Sequence, residues 1–85
     1  MKLPVTAQRE GHATFRKGSE VTQVQHFSGG GRDWIVTDGQ AEPVSGNVLT
    51  ELWKINDSLR GDGWTCTYST IIGMGAEIRE NYFAR

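Results

Sequence analysis

The stretch NVLTELWKINDSLRG, Asn47 to Gly61, decides the fold, because the spacing of its apolar residues differs from that of the rest of the chain. Apolar side chains recur three and four positions apart, as on one face of an α-helix. The residues of this stripe are Val48, Leu52, Ile55 and Leu59, widened by Leu49 and Trp53. The pattern predicts one amphipathic helix of about four turns, packed against a sheet.

Both ends of this helix are signalled by residue type. Asn47 or Ser45 can cap the first turn by accepting a backbone N–H, and Glu51 suits the positive end of the helix dipole. Arg60 suits the opposite end, and Gly61 can take the left-handed position that follows a helix. The helix is therefore expected to end near residue 61.

Three short runs before the helix have the composition of β-strands. Residues 12–17 alternate in polarity, residues 20–27 are rich in β-branched side chains, and residues 33–37 read DWIVT. Gly18 separates the first two runs, and residues 28–32, SGGGR, separate the second from the third. Both connections have hairpin length, so two antiparallel hairpins are predicted.

After the helix, residues 64–72 alternate between large and hydroxylic side chains and predict another strand. Residues 76–83 suit either a returning strand, which we favour, or a short helix. Residues 1–11 show no clean period and are expected to form a loosely held arm or an irregular first strand. The order is then β-β-β-α-β-β, which predicts an α+β domain over residues 1–85 with an antiparallel sheet of four to five strands and one helix on one face.

The length of 85 residues limits the chain to one domain with one modest core. Covering an apolar face with a second copy would add stability, so a homodimer is considered. Cys66 is the only cysteine, which excludes an intrachain disulfide and favours the cytoplasm. The first ten residues, MKLPVTAQRE, contain no apolar run, so neither a signal peptide nor a membrane anchor is expected.

The net charge of −1 argues against a protein whose main task is to coat nucleic acid. The charges are nevertheless unevenly distributed. Residues 1–32 contain five basic and two acidic residues, or +3, whereas residues 33–85 contain four basic and eight acidic residues, or −4. Two regions of opposite sign can bind each other or two kinds of partner.

Several chemistries are disfavoured by residue type and spacing. The glycine run is followed by Arg32 and Asp33 at the start of a strand, whereas a phosphate-binding loop leads into a helix. A nucleophilic pair of Cys66 with His26 has little support. In the predicted strand Cys66 lies on the same face as the large side chains Trp64 and Tyr68, where a buried cysteine acts as a small apolar residue. One cysteine and two histidines match no metal motif. We therefore expect no enzymatic activity, cofactor or metal.

Binding of another protein is the main prediction, since a glycine-rich turn and exposed strands can dock a partner. The residues expected to project are the turn and its neighbours, Gly29, Gly30, Gly31, Arg32 and Trp34, followed by Arg16 and Lys17. Trp53 and Trp64 are assigned to the core.

The alternative is binding to nucleic acid. In that hypothesis Arg16, Lys17 and Arg32 would lie with Phe15, Phe27 and Trp34 around one hairpin system. The leading expectation is a non-catalytic interaction module without membrane attachment. Such a module would be a small accessory regulator or inhibitor of a larger machine, of the kind that phages and other mobile elements encode.

Overall fold

The computed structural model describes residues 2–71, and within them five strands and one helix form an α+β structure of two layers. The elements are β1 Gln8–Lys17, β2 Glu20–Gly29, β3 Arg32–Thr37, β4 Gln40–Val44, α1 Val48–Gly61 and β5 Thr65–Ile71. All neighbouring strands are antiparallel, in the spatial order β4-β3-β2-β1-β5. The predicted fold class, an antiparallel sheet with one helix, is confirmed.

The order of elements corrects the prediction at one strand. The described residues run β-β-β-β-α-β, because β4 follows β3 directly. The two strands are joined by Asp38 and Gly39, which both have positive φ, at 51° and 77°. Asp-Gly is the strongest two-residue hairpin signal, so the sequence contained the information for this turn. The strand or helix predicted for residues 76–83 lies outside the described residues.

The helix begins and ends where the sequence predicts, but Gly61 does not take the left-handed position. Asn47, not Ser45, caps its start, and its side-chain oxygen accepts the backbone N–H of Thr50 at 3.1 Å. At the other end Gly61 is still helical, and Gly63 takes the left-handed conformation at φ 93°. The left-handed position that follows the helix is therefore taken by Gly63 and not, as expected, by Gly61.

The sheet is buried on both faces, whereas one core was expected. On the helix side the buried cluster is Ala13, Phe15, Val24, Ile35 and Leu52, with Trp64 and Cys66 packed against it. On the opposite side the cluster is Trp34, Val36 and Ala41, with Leu3 and Phe27 against it. Alternation along the strands divides the apolar residues between the faces, and the N-terminal segment supplies Leu3 as cover for the second face.

The assignments of the remaining large side chains follow from these clusters. Trp53 and Trp64 are both partly buried, and Trp64 packs on the helix-side core as predicted. Cys66 is partly buried and lies opposite Phe15 in the sheet. α1 has 14 residues, and within residues 2–71 no helix is long and apolar enough to cross a membrane.

Candidate protein-binding surface

The turn between β2 and β3 consists of two exposed glycines. Gly30 and Gly31 have φ of 63° and 77°, the left-handed values that a two-residue turn between twisted strands requires. Gly29 and Arg32 form the last strand pair before the turn. The loop is thus shorter than the five residues, 28–32, that the sequence suggested. We call Gly30, Gly31 and Arg32 the hairpin tip.

The first glycine of the run, Gly29, has a packing role. Gly29 belongs to β2, and a Cβ built on it would lie 2.8 Å from the Cα of Ala7. Only a residue without a side chain allows the N-terminal segment to cross the hairpin at this distance. Gly29 therefore fixes the segment beside the hairpin tip, a role that turn chemistry alone did not predict.

Trp34 does not project from the molecule, which corrects the sequence-based expectation. Its exposed fraction is 6%, and its indole Nε1–H donates to the carbonyl oxygen of Gly29 at 3.0 Å. The reason for the burial is the second apolar cluster, in which Trp34 packs with Val36 and Ala41. Trp34 is thus part of the support beneath the hairpin tip.

Arg32 is exposed and lies against this buried ring. Its guanidinium carbon is 5.7 Å from the centroid of the Trp34 ring, within the range of a cation–π contact. Such a contact restricts the side chain while its N–H groups stay available to solvent or to a partner. The hairpin tip therefore presents a positive charge whose position is restricted by the contact with the buried Trp34 ring.

Two polar pairs that sequence reasoning missed lie close to the hairpin tip. His26 Nε2 and Asp33 Oδ1 are 2.9 Å apart, and the Ser28 hydroxyl donates to Glu10 Oε1 at 2.7 Å. His26 is 7% exposed, so it is a buried residue. Both pairs join neighbouring strands and hold the strand ends that carry the hairpin tip.

The pairing register separates His26 from Cys66. His26 lies opposite Gly11 on β1, and Cys66 lies opposite Phe15. These β1 positions are four residues apart, or about 13 Å along a strand. The two side chains are not placed as a nucleophile and its base. Within residues 2–71 no group of three or more His, Cys, Asp or Glu side chains is arranged to hold a metal ion.

The predicted binding residues divide into two separate groups. Arg16 and Lys17 are exposed at the end of β1, beside the turn at Gly18, whereas the hairpin tip lies at the opposite end of β2. β2 has 10 residues, so the two ends are about 30 Å apart. The basic residues therefore do not form one continuous patch, because each successive hairpin turn lies at the other end of the sheet.

Comparison with known proteins gives no further guide to the site. No family model matches the chain, and neither a curated protein nor a solved structure is significantly similar to it.

Proposed function

We propose that this protein is a non-catalytic interaction module and that the hairpin tip is its binding site for another protein. The observation that carries this proposal is the presentation of Arg32, an exposed cation held over a buried tryptophan. Arginine is enriched among the residues that dominate binding energy at protein interfaces. A side chain that is already restricted loses less conformational entropy when it binds.

The shape and charge of the hairpin tip define the kind of partner. A two-glycine turn is narrow, because neither residue has a side chain, and it can enter a cleft that a bulkier loop cannot. The guanidinium group then requires a carboxylate within the cleft, where a bidentate contact would be shielded from water. The partner site is accordingly a concave acidic surface. Occupying such a site would let the module act as a regulator or inhibitor of a larger assembly.

The alternative, binding to nucleic acid, has less support from the geometry. Stacking on bases requires exposed rings beside cations. Phe15 is 0% exposed and Trp34 is 6% exposed, and Arg16 and Arg32 lie at opposite ends of β2. Titration with single-stranded and duplex oligonucleotides at low salt distinguishes the two functions. Affinity that falls steeply with added salt would favour nucleic acid over the protein partner.

The proposal is tested by comparing three single variants in affinity capture from cells of the source organism. Arg32→Ala removes the charge of the hairpin tip, Arg16→Ala removes a charge at the far end of the sheet, and Lys54→Ala removes one from the exposed face of α1. We expect Arg32→Ala alone to lose the captured protein, with all three variants equally folded by circular dichroism. Loss of the captured protein with Arg16→Ala and its retention with Arg32→Ala would place the binding site at the other end of the sheet. Equal capture by all three variants would overturn the proposal.

A further inference from the structure

The two sides of the described sheet carry charges of opposite sign. We call the side away from α1 the outer face, which is the side on which Trp34 and Val36 are buried. Residues paired across neighbouring strands share a face, and successive residues of one strand alternate between faces. The pairing register therefore assigns each charged residue of the strands to one side.

Two arginines and one histidine of β1 lie on the outer face. Arg9 and His12 are paired through β2 with residues of the second apolar cluster. Arg16 directly follows Phe15, which is buried on the helix side, so alternation turns Arg16 outward. Arg9 and Arg16 are both exposed and lie about 20 Å apart along the strand. We call Arg9, His12 and Arg16 the basic row.

The carboxylates within the strands lie on the opposite side. Asp33 and Glu42 are paired with residues that belong to the helix-side core or pack against it. Glu10 accepts a hydrogen bond from Ser28, the residue paired with Asp33. The acidic side chains of β1, β3 and β4 therefore face α1.

The carboxylates at the strand ends and on the helix lie on the same side as these. Glu20 is paired with Lys17, two positions after the buried Phe15. Asp38 accepts the hydroxyl of Thr22 at 2.6 Å, and Thr22 is paired with Phe15. Within residues 2–71 the outer face therefore carries no carboxylate. The other described acids lie on α1 or directly after it, at Glu51, Asp57 and Asp62.

The positive charge of the basic row is not neutralised by the described part of the chain. Arg9 donates to the side-chain oxygen of Gln25 at 3.4 Å, a neutral partner. Within residues 2–71 neither Arg9 nor Arg16 forms an ion pair with a carboxylate. Burial and, second, the Arg9 guanidinium lower the pKa of His12, so the positive charge acts on its neighbours. A ligand with negative charge would relieve this repulsion.

Residues 72–85 do not supply the missing negative charge. They follow Ile71, which is paired with Gly11 close to Arg9. They contain two glutamates and two arginines, a net charge of zero. The compensating charge must therefore come from another molecule.

The side chains beside the basic row favour a polypeptide over nucleic acid. Stacking on bases requires exposed rings, whereas on the outer face Trp34 is 6% exposed and Phe27 is partly buried. Gln23 and Gln25 lie on the outer face of the neighbouring strand β2. Their amides both donate and accept hydrogen bonds, as the peptide groups of a bound segment require.

We propose that the outer face binds an acidic segment of a partner protein through the basic row, with carboxylates on Arg9 and Arg16. Arginine binds a carboxylate through two parallel N–H···O bonds. The opposite potentials also speed the encounter. This inference does not rest on the function proposed for the hairpin tip.

The test uses two synthetic peptides of about 12 residues, long enough when extended to span the basic row. One alternates glutamate with serine, and its twin alternates glutamine with serine. Binding to the full chain is measured by fluorescence anisotropy and mapped by backbone amide chemical shifts. We expect the glutamate peptide to bind, more weakly as salt is added, and to shift the amides of the basic row. We expect the glutamine peptide not to bind.

Protein variants with equal changes in charge give the control. Arg9→Gln with Arg16→Gln removes both arginines of the row, and we expect affinity for the glutamate peptide to fall about tenfold. Lys54→Gln with Arg60→Gln removes the same charge from α1, and we expect a change within about twofold. Arg32→Ala should retain most of the affinity, which separates the basic row from the hairpin tip.

The pKa of His12, followed through the NMR signals of its ring, gives an independent readout. A carboxylate beside the ring favours its protonated form, so we expect a higher pKa in the complex than in the free protein. Arg9 is the charged group that acts on His12, since the residues paired with His12, Gln25 and Thr70, do not titrate. A pKa that the bound peptide leaves unchanged would contradict the proposed position of the ligand.

Two further measurements test other occupants of the outer face. An oligonucleotide of about seven thymidines matches the charge of the glutamate peptide, and binding as tight as that of the peptide would contradict a polypeptide ligand. Glu77→Gln with Glu80→Gln should leave the affinity for the peptide as in wild type. A rise in affinity would show that residues 72–85 occupy the face and would contradict the proposal. Equal binding of the two peptides, or equal weakening in the two arginine and lysine double variants, would also overturn it.

Discussion

At the scale of single residues, the consecutive glycines illustrate how one residue type serves two purposes. Gly30 and Gly31 supply positive φ at the turn, while Gly29 supplies space for Ala7. The first purpose can be recognised from sequence, because a two-residue hairpin requires such residues. The second depends on a contact between segments 22 residues apart, which local pattern does not encode.

The close contact between Gly29 and Ala7 predicts that alanine at position 29 destabilises the fold. In Gly29→Ala the new methyl group meets the backbone of Ala7 at 2.8 Å, and backbone cannot move aside as a flexible side chain can. We expect the free energy of unfolding to fall by about 1–3 kcal/mol, measured by urea denaturation. Gly46→Ala is the matched control, because nothing lies within 4 Å of its Cβ.

The stability of the Gly46→Ala variant should be unchanged or slightly raised, since alanine restricts the unfolded chain. Adding Ala7→Gly to Gly29→Ala should restore little, because the closest atom is the Cα of Ala7. Equal stability of Gly29→Ala and Gly46→Ala would show that the crossing of the two segments is wrong.

His12 is a described residue whose titration should affect stability. Its burial, and secondarily the nearby Arg9 guanidinium, lower the pKa of its imidazole below 6.5. The unfolded chain therefore takes up a proton at a higher pH than the folded chain does. The stability that the neutral ring contributes is present above pH 6.5 and is lost as the pH falls from 6.5 towards the folded pKa.

We expect wild type to lose more stability than His12→Gln between about pH 7.5 and about pH 5.5. Urea denaturation of both proteins at the two pH values measures this difference, because titration of other groups is common to both. An identical loss in the two proteins would contradict a lowered pKa at His12.

At the scale of elements, the helix was the easiest to predict and β4 the hardest. The apolar stripe of α1 and its cap are local signals that agree with each other. β4, in contrast, has the sequence QAEPV, in which Pro43 argues against a strand. Proline is tolerated there because β4 is an edge strand in the described sheet and its missing N–H faces outward. The Asp38–Gly39 turn outweighs the unfavourable composition.

The choice of cap predicts a simple stability difference at the start of α1. Asn47→Ala removes the acceptor for the Thr50 N–H, which should cost about 1 kcal/mol. Asn47→Asp keeps an acceptor and should retain most of the stability. Ser45→Ala should change the free energy of unfolding by less than about 0.5 kcal/mol. Thermal or urea denaturation distinguishes the caps, and a larger loss for Ser45→Ala would contradict Asn47 as the cap.

At the scale of the whole molecule, topology determines which residues can act together. The sequence identified Arg16, Lys17 and Arg32 as exposed cations, and the structure leaves them exposed. The predicted hairpins already implied that these cations lie far apart, because one whole strand connects the two turns. The sequence-based prediction of one binding surface did not take this separation into account. The burial of Trp34 was beyond pattern analysis, because it depends on packing with Ala41 of β4 and with Leu3 of the N-terminal segment.

The most direct test of the account places a photo-crosslinking amino acid at one end of the sheet or the other. Thr6 is exposed and adjoins the hairpin tip, and Ser19 is exposed at the turn between β1 and β2. With benzoylphenylalanine at Thr6 we expect a crosslink to the protein that Arg32→Ala fails to capture, and with the same group at Ser19 we expect none. Crosslinking of that protein from Ser19 and not from Thr6 would contradict binding through the hairpin tip.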